Sequence, residues 1–378
     1  MGSSVPTLSF EILGCEEIEW SRFQSAVSLP SVLDYSPQED HDHDDKVKVF
    51  VQKKKDRPQL NGTLPFLVIG DWGGQTLLPY TTEDEVACAK QMGVIAERIS
   101  SLFVLALGDN FYEQGIQTDA YDKRFKETFE DVFTHPWLQT PWNVIAGNHD
   151  WRGNVTAELE YTKLSKRWNF PSLYYKLEYT IEGTSSTVVF IMIDTVVLCG
   201  VMDEWSTPEE LEGPADKNAS EVQWQWIETQ LKNSTSADYV IVAGHYPVWS
   251  IAEHGPTEGL VSRLRPLLTK YKVSAYFSGH DHNLQHIRED SSTVDYFVIG
   301  AGHIVNDSQE HIDKIPPNSL KYCFRDVTSK GGFAYVVATP ISMQFIFADG
   351  LKGQDLYMAE IKPRTRRHSE VKNGKKRF

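Results

Sequence analysis

Five short segments of this chain set a glycine directly before an oxygen or nitrogen donor. They are Gly70-Asp71-Trp72-Gly73-Gly74, Gly108-Asp109-Asn110-Phe111-Tyr112, Gly147-Asn148-His149-Asp150, Gly244-His245-Tyr246-Pro247 and Gly279-His280-Asp281-His282. Glycine permits a sharp turn and a close approach of backbones, which several loops need if they are to crowd around one centre. Asp and Tyr are hard anionic oxygen donors, Asn is a neutral oxygen and His a borderline nitrogen. No cysteine takes part, so a soft-metal or iron–sulfur site does not fit. Asp71, Asp109, Tyr112, Asn148, His245, His280 and His282 are more ligands than one ion takes. Two ions roughly 3.5–4 Å apart, sharing a carboxylate, account for them economically. Singly, each segment has a plainer reading. Gly-Asp after a strand is a common turn, His280 and His282 could share a strand face, and Tyr112 could be a core aromatic with its hydroxyl satisfied. Five together, each at a strand end, point to a dinuclear metal site.

The elements that must position these residues follow from periodicity. Apolar runs at 66–70, 102–107, 142–146, 188–193, 239–243, 274–277 and 296–299 read as strands, mostly buried on both faces, and 174–181 as another. Helical patterns cover 82–99, 125–133, 156–168, 222–231 and 260–271. Thr82 and Glu85 form the capping box that opens the first of these. Residues 333–338 and 343–347 suit a closing hairpin. Strands alternating with helices, then strands close together, predict an α/β fold with layered mixed sheets. In such sheets, sites gather beyond the carboxyl ends of the strands, which is where the five segments lie.

Composition bounds the rest. With 378 residues, 40% hydrophobic, the chain can bury a sizeable core. Its formal charge of −15 argues against a general nucleic-acid or anionic-membrane binder. An anionic substrate would therefore need local positive charge, which bound metal ions supply. Cys15, Cys88, Cys199 and Cys323 are too scattered for a disulfide scaffold or zinc cluster, and Cys88 reads as a buried free thiol in a helix. No membrane span is expected, and Glu11, Glu16, Glu17 and Glu19 break any apolar leader in residues 1–20. Asn61, Asn154, Asn218, Asn233 and Asn306 head Asn-x-Ser/Thr triplets. Residues 1–61 read as an N-terminal extension. Its acidic and histidine run at 39–45 is read as solvated chain and not as a metal site. Residues 62–350 read as the catalytic domain and 351–378 as a basic tail.

Taken in order, the five segments resemble the signature of the calcineurin-like metallophosphoesterases. Tyr112, three residues after Asp109, narrows the resemblance to the purple acid phosphatases. The stretch 244–257, GHYPVWSIAEHGPT, is similar to the tartrate-resistant, uteroferrin-type enzymes among them. The resemblance covers about residues 62–350. It implies a metallophosphoesterase fold, a layered β-sandwich of mixed sheets flanked by helices in a single catalytic domain. The implied activity is that of an acid phosphatase, hydrolysing phosphate monoesters by metal-bound hydroxide at a dinuclear Fe(III)–M(II) site. Asp71, Asp109, Tyr112 and His282 would hold Fe(III). Asp109, Asn148, His245 and His280 would hold Fe(II) or another divalent ion such as Zn or Mn, with Asp109 bridging. His149 and His254 match the family's catalytic histidines, able to protonate the leaving alkoxide or grip the phosphate.

The resemblance further implies small phosphate monoesters or phosphoproteins as substrates, a monomer, and a lysosomal or secreted location. Asn154 matches a family glycosylation position. The family's counterpart of Cys199 pairs with a cysteine shortly after Gly-Pro-Thr, where this chain has Glu258 and Gly259. Residues 201–219 stand where the family has an exposed loop that restrains activity. The competing reading within the fold is a phosphodiesterase or nucleotide hydrolase, which would carry another residue at position 112. A binding protein without activity would have lost ligands, and a two-metal amidohydrolase would not carry Gly-Asn-His-Asp and Gly-His-x-His.

Overall fold

Short runs rich in β-branched and aromatic residues build two seven-stranded sheets in the structure, a computed structural model that describes residues 61–201 and 213–364. In chain order the strands are β1 (Leu64–Ile69), β2 (Val104–Ala106), β3 (Trp142–Val144), β4 (Trp168–Asn169), β5 (Tyr175–Thr180), β6 (Thr187–Met192) and β7 (Tyr239–Ala243). They continue as β8 (Ala275–Ser278), β9 (Leu284–Ile287), β10 (Asp295–Ile299), β11 (Leu320–Phe324), β12 (Gly332–Ala338), β13 (Met343–Asp349) and β14 (Asp355–Ile361). The helices are α1 (Glu83–Ile99), α2 (Asn148–Trp151), α3 (Val155–Tyr161), α4 (Thr195–Cys199), α5 (Lys217–Asn233) and α6 (Arg265–Lys270).

The first sheet has the order β14-β13-β12-β1-β2-β3-β4 and the second β11-β9-β10-β8-β7-β6-β5. In the first, β1 to β4 pair in parallel, and an antiparallel β1–β12 pair joins them to the antiparallel ribbon β12–β14. The second repeats the plan. There β6, β7, β8 and β10 run parallel, with antiparallel β5 on one side and β9 and β11 on the other. The predicted fold, mixed sheets layered and flanked by helices, is the one found.

The two inner faces meet over aromatic rings. Phe66 of β1 stacks on Phe103 at 4.9 Å and meets Phe190 of β6 edge-on at 5.2 Å, while Phe297 of β10 lies 3.8 Å from Phe345 of β13. Burying each such ring contributes about 1.5–3 kcal/mol. β1 is buried at every position because α1 packs on its outer side, and so it lacks polar alternation. α1 starts at Thr82, whose hydroxyl accepts from Glu85 N while the Glu85 carboxylate accepts from Thr82 N, the predicted capping box. α5 covers the second sheet through Trp224, Ile227 and Leu231.

Three local expectations are corrected. The helix expected over 156–168 stops at Tyr161, because the Thr162 hydroxyl bonds Phe170 N and O and turns the chain. Trp168 is thereby drawn into β4 and a cluster with Trp72, Trp142, Phe111 and Phe129. The helix expected over 260–271 splits into a wide turn at Leu260–Leu264 and α6, whose first turn holds Pro266, a residue with no N–H to give. Strands β9, β11 and β14 were not anticipated, and β14 lies in the stretch read as tail. Three residues beyond it, buried Arg364 donates to the carbonyls of Ser234, Ala237, Tyr271 and Lys272, at the C-terminal ends of α5 and α6.

Cys88 is buried and free, as read. Cys199 is also free, and a Cβ added to Gly259 would lie 3.0 Å from its sulfur. The acidic run at 39–45, Cys15, and most of the loop 201–219 lie outside the described residues.

Candidate metal centre

Asp71 follows β1, Asp109 follows β2, Asn148 and His149 follow β3, His245 follows β7, and His280 and His282 follow β8. The parallel strands of both sheets thus deliver their carboxyl ends to one place. Local backbone geometry aims the ligands. Asp71 (φ 55°), Asp109 (φ 51°) and His280 (φ 72°) sit in the left-handed region, which costs a non-glycine residue roughly 1–2 kcal/mol. Such cost is tolerated where function requires a particular side-chain direction. The loops also interleave: a Cβ on Gly147 would overlap the Asp109 carboxylate, and one on Gly279 would overlap that of Asp71.

All seven expected ligands converge. The Tyr112 hydroxyl lies 3.1 Å from Asp71 Oδ1, 3.0 Å from Asp109 Oδ2 and 3.0 Å from His282 Nε2. His245 Nε2 lies 3.0 Å from Asn148 Oδ1 and 3.3 Å from Asp109 Oδ2, with its Nδ1 2.9 Å from the Leu107 carbonyl. Ligand atoms of Asp109, His245 and His280 all fall within 4.8 Å of one another. Asp109 Oδ2 therefore faces both halves of the cluster.

These donors fit cations. A phenol has one proton to give, yet two carboxylate oxygens and an imidazole nitrogen surround that of Tyr112 at hydrogen-bonding distance. His280 Nε2 is buried with no hydrogen-bond partner. Burial pushes the Tyr112 hydroxyl well above its usual range, and the Asp109 and Asp71 carboxylates push it further. Burial likewise keeps His280 well below the usual imidazole range, aided by the neighbouring His254 and His245. A neutral imidazole is the form that binds metal. For Asp109, burial opposes ionisation, but the His245 and His149 imidazoles hold it well below the ordinary carboxylate range. His245 loses by burial but is drawn up to about 9 by Asp109. A metal ion taking that nitrogen would displace the proton.

The two expected catalytic histidines border the cluster. His149 donates its backbone N–H to Asp109 Oδ1 at 3.0 Å, and its Nδ1 lies 2.7 Å from the Glu113 carbonyl. His254 Nδ1 lies 2.8 Å from Asp281 Oδ1, with its ring 4.0 Å from that of His280. Burial works against a charged His254, yet the Asp281 carboxylate raises it above the ordinary imidazole value.

Three supporting residues escaped the sequence reading. Arg124, buried, donates to the carbonyls of Tyr112 and Gly73 and so ties the first two ligand loops together. Asp150 accepts from Gly147 N, Phe111 N and both nitrogens of Asn110, and Asn110 Nδ2 also donates to Glu158 Oε2 at 3.0 Å. The third, His303, is taken up below. Arg124 and His303 lie outside the Gly-ligand segments, and Asp150, though inside one, acts mainly through Asn110 and Phe111, some forty residues away.

Glu158 sets up a test by pH. Its carboxyl is pushed well up by burial and then by the Asp150 charge, while Asp150, with more N–H donors around it, is raised to about 7. The geometry leaves the proton on Glu158. The folded chain then holds a proton that the unfolded chain releases above about pH 4.3. Stability from this group is complete below that pH and lost as pH rises toward the folded value. Glu158→Gln, neutral and similar in shape, should match the native chain in denaturant unfolding at pH 4.5. Above that it should gain up to about 1.4 kcal/mol per pH unit relative to the native chain. Parallel stability profiles for the two would show that Glu158 is not protonated.

A model of the calcineurin-like phosphoesterase family matches residues 64–284. The tartrate-resistant acid phosphatase type 5 of Sus scrofa is 46% identical over 304 residues, 80% of this chain and 88% of its own. That of Homo sapiens is 45% identical over 304 residues, 80% and 92%. Purple acid phosphatase 7 of Arabidopsis thaliana is 31% identical over 327 residues, 85% and 91%. Among solved structures, GAP50, the anchor in the inner membrane complex of Plasmodium, superposes with a TM-score of 0.67 at 23% identity, over 80% of this chain and 90% of that one. The purple acid phosphatase PPD1 from yellow lupin seeds gives 0.56 at 16%, over 81% and 55%. These two likenesses concern the fold alone.

Proposed function

Because the chain belongs to the calcineurin-like phosphoesterases and, within them, to the tartrate-resistant purple acid phosphatases, we propose that its acid phosphatase activity on phosphate monoesters is carried by the seven converging side chains holding two ions. Asp71, Asp109, Tyr112 and His282 would hold Fe(III). Asp109, Asn148, His245 and His280 would hold Fe(II), Zn or Mn. The observation that carries this assignment is Asp109 Oδ2, within 3.0 Å of the phenol and 3.3 Å of His245, where one carboxylate oxygen serves both groups. When bound, such ions lower the pKa of a coordinated water and neutralise phosphoryl oxygens.

The chain's own residues manage the proton and the substrate. Since Asp281 accepts from His254 Nδ1, the proton that His254 can release is the one on Nε2. The raised basicity of His254 keeps that proton in place in acid, ready for the departing alkoxide, and it is lost as pH rises. His149 Nδ1 lies 2.7 Å from the Glu113 carbonyl, which can only accept, and 3.1 Å from Arg152 Nη1, which can only donate, and the shorter contact favours a hydrogen on Nδ1. Its other nitrogen is left on the side of Asp109, 3.9 Å from Oδ2. There, when the ring carries its second hydrogen, it can donate to a phosphoryl oxygen.

Location follows the same reading. We place the protein in the lysosome or outside the cell, a reading supported by Asn154 and Thr156, both exposed, at the start of α3. Among the described residues, no helix is long and apolar enough to cross a membrane.

The test is p-nitrophenyl phosphate against its bis-ester, with elemental analysis of the same preparation. Faster turnover of the monoester and bound iron are expected. Preferential diester cleavage would favour the phosphodiesterase reading. His149→Ala should lower kcat about 10²–10⁴-fold with ion content unchanged. Loss of ions instead would make His149 a ligand.

A further inference from the structure

We infer that His303 is a positioning residue for Tyr112, holding the phenol ring in the plane at which its oxygen meets the ion. The inference rests on the assignment of Tyr112 as an iron ligand made above. The His303 ring lies over that of Tyr112, with centroids 3.9 Å apart and planes 26° from parallel. Its edge meets His282 at 4.9 Å and 86°. The Tyr112 ring also contacts His149, at 4.5 Å and 62°. Three imidazoles therefore border the phenol ring, and of these only His303 lies outside the five Gly-ligand segments.

His303 cannot easily move aside. Its Nδ1 lies 2.9 Å from the Asp71 carbonyl, an atom that only accepts, so Nδ1 carries a hydrogen and the ring orientation is set. Its own carbonyl accepts from the Thr82 hydroxyl at 2.8 Å, at the start of α1. The preceding Gly302 packs so closely that an added Cβ would lie 2.8 Å from the Asp71 carbonyl and 2.9 Å from Trp72 Cα. One residue thus joins the Asp71 loop, the helix that covers the first sheet, and the face of the tyrosine.

The consequence is electronic as well as steric. A phenolate donates charge to a metal through an orbital perpendicular to its ring, so the overlap depends on the ring's torsion about the carbon–oxygen bond. A stacked aromatic fixes that torsion, and such ring pairs contribute beyond their buried area. Removing the stack should free the ring without removing the oxygen.

The experiment uses the full chain loaded with its metal and compares His303→Ala, His303→Phe and His303→Asn. His303→Ala should keep its ions but shift the visible band and weaken it. His303→Phe, which keeps a flat ring and loses the hydrogen bond, should restore the native band. His303→Asn, which keeps a donor and loses the ring, should behave as His303→Ala. An unmoved band in His303→Ala overturns the inference, as does rescue by Asn in place of Phe, or loss of ions from His303→Ala. A native protein with ions but no visible band overturns the iron assignment itself, and this inference with it.

Discussion

Asp109→Asn is expected to strip the protein of both ions and to reduce kcat by about 10³-fold or more, some 4 kcal/mol of transition-state stabilisation. Among the described residues, Asp109 is the one whose carboxylate oxygen lies within 3.3 Å of both the Tyr112 hydroxyl and His245 Nε2. Replacing it removes a negative charge shared by two cations and turns an N–H donor toward one of them. The substitution is otherwise mild. Asparagine tolerates the left-handed backbone that Asp109 adopts at φ 51°, and its side-chain oxygen can still accept from His149 N, as Asp109 Oδ1 does at 3.0 Å. Elemental analysis and steady-state assay of the variant, with thermal unfolding as control, decide the matter. A folded variant with full ion content and native rate would remove Asp109 from the bridge.

Tyr112→Phe should abolish the visible band outright while the ring stays in its stack. The hydroxyl is the one atom lost, and a phenolate-to-iron transition needs it. Burial, Asp109 and Asp71 all hold the proton on this oxygen. A colour arising from it would mean that the ion beside it is acidic enough to displace that proton, as a trivalent hard ion is. An unchanged absorption spectrum in the variant would mean that Tyr112 is not an iron ligand.

The metal-facing loops were legible because their signal is local. Each is a buried apolar run ending in glycine and a donor, and burial of β1 at all positions is the physical reason that the run is uninterrupted. The supporting residues were not legible. Arg124 is a buried guanidinium bonded to two carbonyls, and in sequence it sits between Lys123 and Lys126, where it looks like any solvated charge. Glu158 sits in a seven-residue helix where a surface carboxylate is the ordinary expectation. His303 follows a strand in the familiar Gly-donor manner, at Gly302-His303, yet a single such pair carries little weight by itself. Strand β9 follows the histidine loop directly, and buried polar Gln285 and His286 break its apolar pattern. Their partners, Ser250, Asn283, Asp295 and Tyr357, are supplied by the folded surroundings.

The backbone of Asp71, Asp109 and His280 is held in an unfavoured, left-handed shape within loops that pack directly on one another. The chain therefore acts as a die and the ions as interchangeable blanks. Swapping the divalent occupant for another of similar radius should alter rate and colour while leaving the protein scaffold in register, since the loops that aim the ligands are packed on one another with no room to shift.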